Sequence, residues 1–323
     1  MKNKIVLPVL ISLAVIVMVI VVVSENNSTR PGKGPANPYA YDASEFARVD
    51  PSQVTWTETR QILLDNDSPR AIASRNNNIY ILTSENLQIL NSEGSRIKSI
   101  SLQADPVCFD FSESGNIIVG FTKFMILLDA DGNVTRQSEP VDGNARFTSI
   151  AQMDGNIFVA DGINRRVIVF DENLEITSEF KGESGVSEIH GFIVPDTRFT
   201  LGVNQEDELW ITNPGLHSIQ NYTASGNLRS YIQSSSFGIE GFSGCCNPVH
   251  FTFLPDGGFV TSEKGLIRVK VLKESGEVES VVAPPEKFAG GTMAPAVAVD
   301  SNGHVLLLDF DRNMVRIFEP AKI

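Results

Sequence analysis

The stretch from Met153 to Asp171 decides the fold. It reads Met153-Asp-Gly-Asn-Ile-Phe-Val-Ala-Asp-Gly-Ile-Asn-Arg-Arg-Val-Ile-Val-Phe-Asp171. A polar turn with Gly and Asn leads into an apolar strand, and a second such turn leads into another strand. Short strands bounded by Gly, Asn and Asp are typical of antiparallel hairpins. The stretch therefore predicts an all-β fold built from short hairpins.

The same pattern of strands and turns recurs six times along the chain. The second strands of the six units begin at Ile79, Ile117, Ile157, Leu209, Phe259 and Val305, with spacings of 38 to 52 residues. A period of about forty to fifty residues with several short strands per unit is typical of a β-propeller blade. The sequence predicts a six-bladed β-propeller that forms one domain over residues 53–323.

A solitary strand precedes the first unit, and the last unit ends one strand short. Residues 54 to 64 alternate between apolar and polar positions, whereas the sixth unit stops after its third strand near Phe318. Closing a ring of blades removes the exposed edge of the last sheet. We therefore expect the N-terminal strand to complete the last blade.

The third and sixth units resemble the NHL repeat. Both have an Asp after the second strand and an Arg within the third, namely Asp161 with Arg166 and Asp309 with Arg316. The resemblance covers roughly residues 53–320 and implies a six-bladed propeller, although the first, second and fourth units lack the Asp-x-x-Asn-Arg core. We interpret these Asp and Arg side chains as structural, because a loop Asp that bonds turn amides needs no ligand.

The N-terminal segment predicts a membrane anchor. Residues 5–23 carry no charge, and a helix of that length nearly spans a hydrocarbon core of about 30 Å. Lys2 and Lys4 precede it, which favours a cytoplasmic N-terminus. We expect a single-pass signal anchor over residues 1–23 in the cytoplasmic or inner membrane and a Pro- and Gly-rich spacer over residues 24–52. The propeller then lies outside the cytoplasm, on the periplasmic or extracellular side. A cleaved signal peptide is the alternative.

The charge of the chain argues against one class of partner. The formal net charge is −13 and the isoelectric point is about 4.8. A surface of this sign repels the phosphate backbone. The sequence therefore predicts no nucleic-acid binding.

Three insertions lengthen the later units. They are residues 183–198, 234–248 and 283–295, and each lies in the connection that leads from one blade into the inner strand of the next. In a propeller these connections lie on one face, so we expect them to form a thick rim around the central channel. Long loops carry binding sites more often than short turns do. We therefore expect a protein, peptide or small ligand at this rim, with a purely structural lid as the alternative.

Three polar residues fall in predicted inner strands. Arg70, Cys108 and His250 are the inner-strand candidates for polar chemistry, and His190 lies in the first insertion. Alignment of the inner strands on their turn glycines places Cys108, His250 and Ala296 at one equivalent position near the mouth of the channel. We expect that position to be the most informative one in the ring.

The adjacent Cys245 and Cys246 admit three interpretations. They can form a vicinal disulfide in an oxidising compartment, bind a soft metal together with His250, or pack as free thiols. Cys108 lies in the second blade and the pair in the fifth, on opposite sides of a ring of six. A disulfide needs Cα atoms within about 7 Å, so we expect Cys108 to stay unpaired.

The segment Gly244-Cys-Cys-Asn-Pro248 and the strand after it resemble bacterial exported NHL-repeat proteins of unassigned function. This resemblance implies an envelope protein and brings no known activity. In the wider superfamily, peptidyl-hydroxyglycine amidating lyases hold a metal in the channel through inner-strand histidines, and His250 is the single inner-strand histidine of this sequence.

Two functional classes follow. The chain contains no Gly-x-Ser-x-Gly, Walker or His-Glu-x-x-His motif, which favours a binding module that presents its rim. The alternative is a channel-sited enzyme, a metal-dependent lyase or a hydrolase. No cofactor is indicated by any motif.

Overall fold

The strands of the chain are assembled into six separate sheets. A computed structural model describes residues 13–23, 46–65, 68–183 and 190–321. Every sheet in this part of the chain has four antiparallel strands, and in five of the six the strands follow one another in sequence order. The predicted all-β, six-bladed propeller is confirmed.

The blades are numbered in chain order. Blade 1 contains β2 (Pro69–Arg75), β3 (Asn78–Thr83), β4 (Asn86–Leu90) and β5 (Arg96–Ser101). Blade 2 contains β6 (Cys108–Phe111), β7 (Ile117–Gly120), β8 (Met125–Leu128) and β9 (Val134–Gln137). Blade 3 contains β10 (Phe147–Met153), β11 (Asn156–Asp161), β12 (Arg166–Phe170) and β13 (Ile176–Phe180). Blade 4 contains β14 (Leu201–Val203), β15 (Leu209–Asn213), β16 (Ser218–Tyr222) and β17 (Leu228–Gln233); blade 5 contains β18 (His250–Phe253), β19 (Phe259–Glu263), β20 (Arg268–Leu272) and β21 (Val278–Ala283); blade 6 contains β22 (Ala296–Val299), β23 (Val305–Asp309), β24 (Met314–Pro320) and β1 (Trp56–Leu63). Short 3-10 helices lie at Pro51–Gln53, Pro214–Leu216 and Pro285–Phe288.

Glycines set the turn between the first two strands of three blades. Gly115, Gly257 and Gly303 have φ values of 91°, 90° and 80°. This left-handed conformation is strained for residues with a Cβ atom, so glycine is the residue that fits. The aligned glycines place Cys108, His250 and Ala296 at the first position of β6, β18 and β22. The predicted equivalence of these three residues is confirmed.

Apolar side chains between blades form the core. One buried cluster combines Ile79 and Ile81 of blade 1 with Leu306 and Leu308 of blade 6. Burial of aliphatic side chains of this size contributes about 1.5–3 kcal/mol each. The first and last blades therefore pack against each other, and the ring is closed.

Strand β1 closes the last blade, as predicted. It pairs with β24 from Trp56 opposite Pro320 to Leu63 opposite Met314. The indole Nε1 of Trp56 donates to Ser280 Oγ of blade 5 at 3.0 Å. The N-terminal strand thus holds the C-terminal sheet and also touches the preceding blade.

Recurrent ion pairs join the second and third strands of the blades. Asp161 accepts from Arg166 Nε at 3.0 Å, and Asp309 accepts from Arg316 Nη1 at 3.2 Å. The Asp161 carboxylate is fully buried, and the Asp309 and Arg316 side chains are each 4 % exposed. Both pairs lie within their own blade, which supports their interpretation as structural groups.

The N-terminal segment is described in part. Residues 13–23 form a helix. No helix among the described residues is both long enough and apolar enough to span a bilayer. The anchor over 1–23 and the spacer over 24–52 include residues 1–12 and 24–45, which lie outside the described residues, and both stay predictions. At the end of the spacer, the Phe46 ring lies 5.7 Å from that of Phe237 in the second insertion.

Candidate functional site: the channel and its rim

The six inner strands enclose one cavity. Its volume is about 300 Å³, and β2, β6, β10, β14, β18 and β22 all line it. Thr148, Ser149, Thr200 and Thr252 line it together with apolar residues. Every insertion leads directly into an inner strand, so the three insertions lie on the face of the ring at which these strands begin. We call residues 183–198, 234–248 and 283–295 the rim.

The predicted inner-strand residues all line this cavity. His250 lies there, and burial lowers its pKa to about 4, helped by the positive charge of Arg198 and opposed by Asp196. His250 is therefore a neutral imidazole at pH 7, able to accept or donate one hydrogen bond. Arg70 lines the same cavity and forms an exposed ion pair with Asp105 at 3.2 Å. An exposed pair of this kind contributes at most about 1 kcal/mol, which leaves Arg70 available to a ligand.

Cys108 occupies the equivalent position in blade 2. It is buried and unpaired, and a Cβ atom on its cross-strand neighbour Gly120 would lie only 2.7 Å from its sulfur. Burial raises the pKa of Cys108, and the nearby Asp110 carboxylate raises it further. The thiol therefore stays protonated and unreactive, as a packed cysteine does.

The structure adds Asp110 to the inner-strand candidates, so the predicted set of three was incomplete. Asp110 lies in β6 and lines the cavity. Burial raises its pKa to about 7, against the opposing effects of the Phe111 amide and the charge of Arg75. A carboxyl group that titrates near neutrality in a cavity is a candidate for binding or proton transfer. The signal in the sequence was a carboxylate within the apolar run Val107-Cys-Phe-Asp-Phe111.

Asp110→Asn should make the propeller more stable at alkaline pH. In the unfolded chain Asp110 loses its proton near its ordinary pKa of 3.8, but in the folded protein it keeps it up to about 7. The stability of the wild type should therefore fall between about pH 4 and pH 7 through this group. The asparagine variant lacks that loss, so its advantage should grow to about 1–3 kcal/mol by pH 8. Denaturant unfolding at pH 5 and pH 8 measures it.

Asp207→Asn is the matched control, because Asp207 is exposed in a turn at φ 56°, a conformation that asparagine also tolerates. This control should show no pH-dependent gain. An equal pH dependence in wild type and Asp110→Asn would contradict the titration of Asp110 near neutrality.

A buried charge cluster supports the second insertion. Glu263 accepts from Arg268 Nε at 2.9 Å, and Lys270 Nζ lies 3.1 Å from the same oxygen. The Glu263 and Arg268 side chains are fully buried, and Lys270 is 1 % exposed. Burial lowers the pKa of Lys270 to about 8, against the opposing charge of Glu263. Such charges are stable in a core only when they are paired and hydrogen-bonded.

The cations of this cluster also bind the backbone of the rim. Arg268 Nη2 donates to the carbonyl oxygens of Gly238 and Gly241, each at 2.8 Å. Lys270 Nζ donates to the carbonyl oxygen of Ile239 at 2.9 Å. The second insertion is thus held by charged side chains of blade 5, although it contains little regular secondary structure.

The cysteine pair lies in this supported insertion. The two sulfurs are unbonded and 3.1 Å apart, with Cys245 exposed and Cys246 buried. Asn247 is fully buried, and its Oδ1 accepts from the Lys264 amide at 2.8 Å. Lys264 in turn forms an ion pair with Asp196 of the first insertion. The pair is therefore linked to the residues that surround His250.

The other two insertions are also packed. Phe192 and Val194 of the first insertion are buried in the core between blades 3 and 4. His190, the predicted rim residue, is exposed and forms an isolated bridge with Glu183. In the third insertion, Asp311 accepts from the amide of Thr292 at 2.8 Å. The described parts of the rim are consequently fixed by contacts with the blades, and residues 184–189 of the first insertion lie outside the described residues.

The structure does not gather a metal site. Across the part of the chain that it describes, no three His, Cys, Asp or Glu side chains come together in a group that could hold a metal ion. Cys245, Cys246 and His250 are accordingly not arranged as a ligand set, although the charge of Asp196 acts on both Cys246 and His250.

Comparison with known proteins gives the fold. No protein-family model matches the chain, and no curated protein matches it. Among solved structures, virginiamycin B lyase from Staphylococcus aureus is similar, with a TM-score of 0.56 and 15% identity over 83% of this chain and 89% of that one. A streptogramin B lyase gives a TM-score of 0.59 and 13% identity over 84% and 99%.

A protein of unknown function from Bacteroides caccae gives a TM-score of 0.57 and 15% identity over 73% of this chain and 87% of that one. At such identities the likeness extends to the fold alone. The resemblance to the NHL repeat stays a prediction from the sequence, and so does the resemblance of the Gly-Cys-Cys-Asn-Pro segment to exported proteins. The strand order and these structural relatives together show that the chain is a six-bladed β-propeller.

Proposed function

We propose that the chain is a membrane-anchored, extracytoplasmic propeller that binds a protein, a peptide or a small ligand through its rim. The uncharged N-terminal run supports the anchor. The rim is supported by its construction, because buried charges and core side chains hold the described parts of the three insertions in place. A preformed surface of this kind loses little conformational entropy when a ligand binds.

One observation carries the binding role. Among the described residues, each insertion exposes one large apolar side chain to a similar degree: Ile193 is 39 % exposed, Phe237 40 % and Met293 42 %. In the rest of the described propeller, the other exposed large apolar side chains are Leu63, Ile97, Val134, Ile163, Ile176 and Tyr231. All of these except Ile163 lie in the outer strands of blades. Apolar side chains on the loops that lead into the strands of a cavity are candidate contacts for a ligand.

Simultaneous Ile193→Ser, Phe237→Ser and Met293→Ser changes should weaken rim binding at least about tenfold, since each apolar contact contributes on the order of 1 kcal/mol. The probe is a peptide selected on the immobilised full chain from a random displayed library, and its Kd is measured by titration calorimetry. The control is Ile97→Ser, Val134→Ser and Ile176→Ser, which removes three apolar side chains from outer strands that are even more exposed, at 54 to 58 %.

Both triple variants should stay folded, because each surface substitution usually changes stability by about 0.5 kcal/mol or less and three of them by on the order of 1.5 kcal/mol. If no peptide is enriched, or if the rim variant binds the selected peptide as the control does, the rim is not the binding surface.

The second candidate is an enzyme with its site in the channel. Asp110, with a pKa of about 7, and the neutral His250 line one cavity and would supply an acid and a base. Two of the similar structures bear the name of lyases. The absence of a gathered ligand set among the described residues gives the metal-dependent version less support than the acid–base version.

A further inference from the structure

The two sulfurs of Cys245 and Cys246 occupy different environments at one point of the rim. They lie 3.1 Å apart, which is closer than two thiols in ordinary van der Waals contact. Cys245 is exposed, whereas Cys246 is buried with 4 % of its surface accessible. One sulfur can therefore meet a reagent from solution, and the other can reach only its neighbour.

The backbone on both sides of the pair is fixed. Before it, the amide of Ser243 donates to Glu263 Oε2 at 2.9 Å. After it, Asn247 Nδ2 donates to the Lys264 carbonyl oxygen at 2.9 Å. Gly244 has a φ of 77°, which lets the chain turn sharply into the pair. The sulfurs are thus held together by bonds that do not involve them.

A positive charge lies beside the pair. Burial and the contact with Cys245 together raise the pKa of Cys246 to about 11, against the opposing charge of Lys264. Burial would lower the pKa of Lys264, but the hydrogen bond and charge of Asp196 outweigh it and hold that pKa above its ordinary value. Lys264 therefore stays charged and offsets part of the effect of burial on the Cys246 thiol.

We propose that Cys245 and Cys246 form a thiol–disulfide exchange site, in which the exposed Cys245 reacts with an external disulfide and the buried Cys246 completes the exchange by bonding to Cys245. The bond between neighbouring residues closes a small ring, because consecutive Cα atoms are about 3.8 Å apart, against the usual spacing of about 4.4–6.8 Å. Strained disulfides are readily reduced, so the bond is reversible. The inference does not rest on the rim ligand.

The exchange balances in two steps. Cys245 gives its proton to solvent, and its thiolate attacks one sulfur of the external disulfide. A mixed disulfide forms as the external bond breaks. The first external thiolate leaves and takes up a proton. Cys246 then gives its proton to solvent and attacks Cys245 Sγ, which expels the second external thiolate, also protonated. Two cysteine thiols are oxidised, and one external disulfide is reduced to two thiols.

Glutathione is the probe for this reaction. The full chain is equilibrated with mixtures of oxidised and reduced glutathione, quenched with acid, unfolded, alkylated and weighed by mass spectrometry. The chain has three cysteines. We expect all three to be alkylated in reduced mixtures and Cys108 alone in oxidised ones, with a reversible transition between them.

Two single variants test the order of attack. Cys246→Ser should trap one glutathione on Cys245, because no second thiol can expel it. Cys245→Ser should acquire glutathione at least about tenfold more slowly, because Cys246 is buried and its thiolate is disfavoured. Cys108→Ser is the matched control and should show the same transition midpoint as the wild type. Thermal unfolding verifies that each variant is folded.

Three alkylated thiols at every glutathione ratio in the wild type would overturn the proposal. Equal rates of adduct formation in Cys245→Ser and Cys246→Ser would overturn the assigned order. Loss of peptide binding at the rim leaves this result unaffected, so failure of the exchange site and failure of the proposed binding function are distinguishable.

Discussion

Glu263→Gln is expected to lower the free energy of unfolding by about 3–5 kcal/mol, the usual effect of breaking a buried ion pair from one side. The glutamine is close in shape to the glutamate, so the change removes charge and little volume. It leaves the buried cations Arg268 and Lys270 without their shared carboxylate. Denaturant unfolding at pH 7, with stability extrapolated to water, measures the loss.

Glu277→Gln is the matched control. Glu277 pairs with Lys273 at 2.9 Å, but the side chains are 68 % and 51 % exposed. An exposed pair of this kind contributes about 0–1 kcal/mol, so the control should differ little from the wild type. A loss of less than about 1 kcal/mol in Glu263→Gln would show that the cations are satisfied by rim carbonyl groups alone.

Glu263→Gln should also loosen the second insertion. Glu263 accepts from the amide and the hydroxyl group of Ser243, at 2.9 and 3.2 Å, and a neutral amide accepts such bonds more weakly than a carboxylate does. Without the charge of Glu263, the pKa of Lys270 should fall below its present value of about 8. Lys270 would then give weaker bonds to the carbonyl groups of the rim.

The architecture could be predicted from the sequence because it depends on local patterns. The six second strands begin with apolar pairs, and glycines such as Gly257 mark the turn before them. These features depend on the side chains of a few neighbouring residues, which the sequence displays directly. The closure by β1 was also predictable. The array begins with a solitary strand and ends one strand short, and in a closed ring these two ends can complete each other.

The candidate site could be predicted only in part. The register placed Cys108 and His250 correctly, but the pKa of Asp110 depends on burial by strands from other blades, which spacing does not show. The Glu263 cluster had a weaker signal. Glu263 and Arg268 occupy the positions of Asp161 and Arg166 in blade 3, and Lys270 is a second cation in an otherwise apolar strand. Only the hydrogen bonds of the structure show that these charges hold the second insertion of the rim.

Removal of β1 is expected to abolish the native fold, the largest effect in the molecule. A chain that starts at Asp65 leaves the edge of β24 unpaired from Met314 to Pro320. It also removes Glu58, which accepts from Arg316 Nη2 at 2.7 Å, so that Arg316 loses one of its two carboxylate partners and keeps Asp309. A chain that starts at Phe46 keeps β1 and should unfold at the same denaturant concentration as the full chain.

A circular permutant tests whether the fold requires β1 itself or requires β1 to precede the other strands in the chain. Residues 53–65 are moved behind Ala321 through a short Gly/Ser linker, and the chain begins at Ser68. The amide of Ala321 donates to the Thr55 carbonyl oxygen at 2.7 Å, so a short turn spans the gap and β24 and β1 become a hairpin. The permutant restores the β1–β24 ladder, the ion pair between Glu58 and Arg316 and the contacts of Trp56, so it should unfold with near wild-type cooperativity. The chain that starts at Asp65 should aggregate or unfold without a sharp transition. A cooperative unfolding transition in the truncated chain would mean that the inter-blade core alone holds the ring closed, and that β1 merely covers an edge.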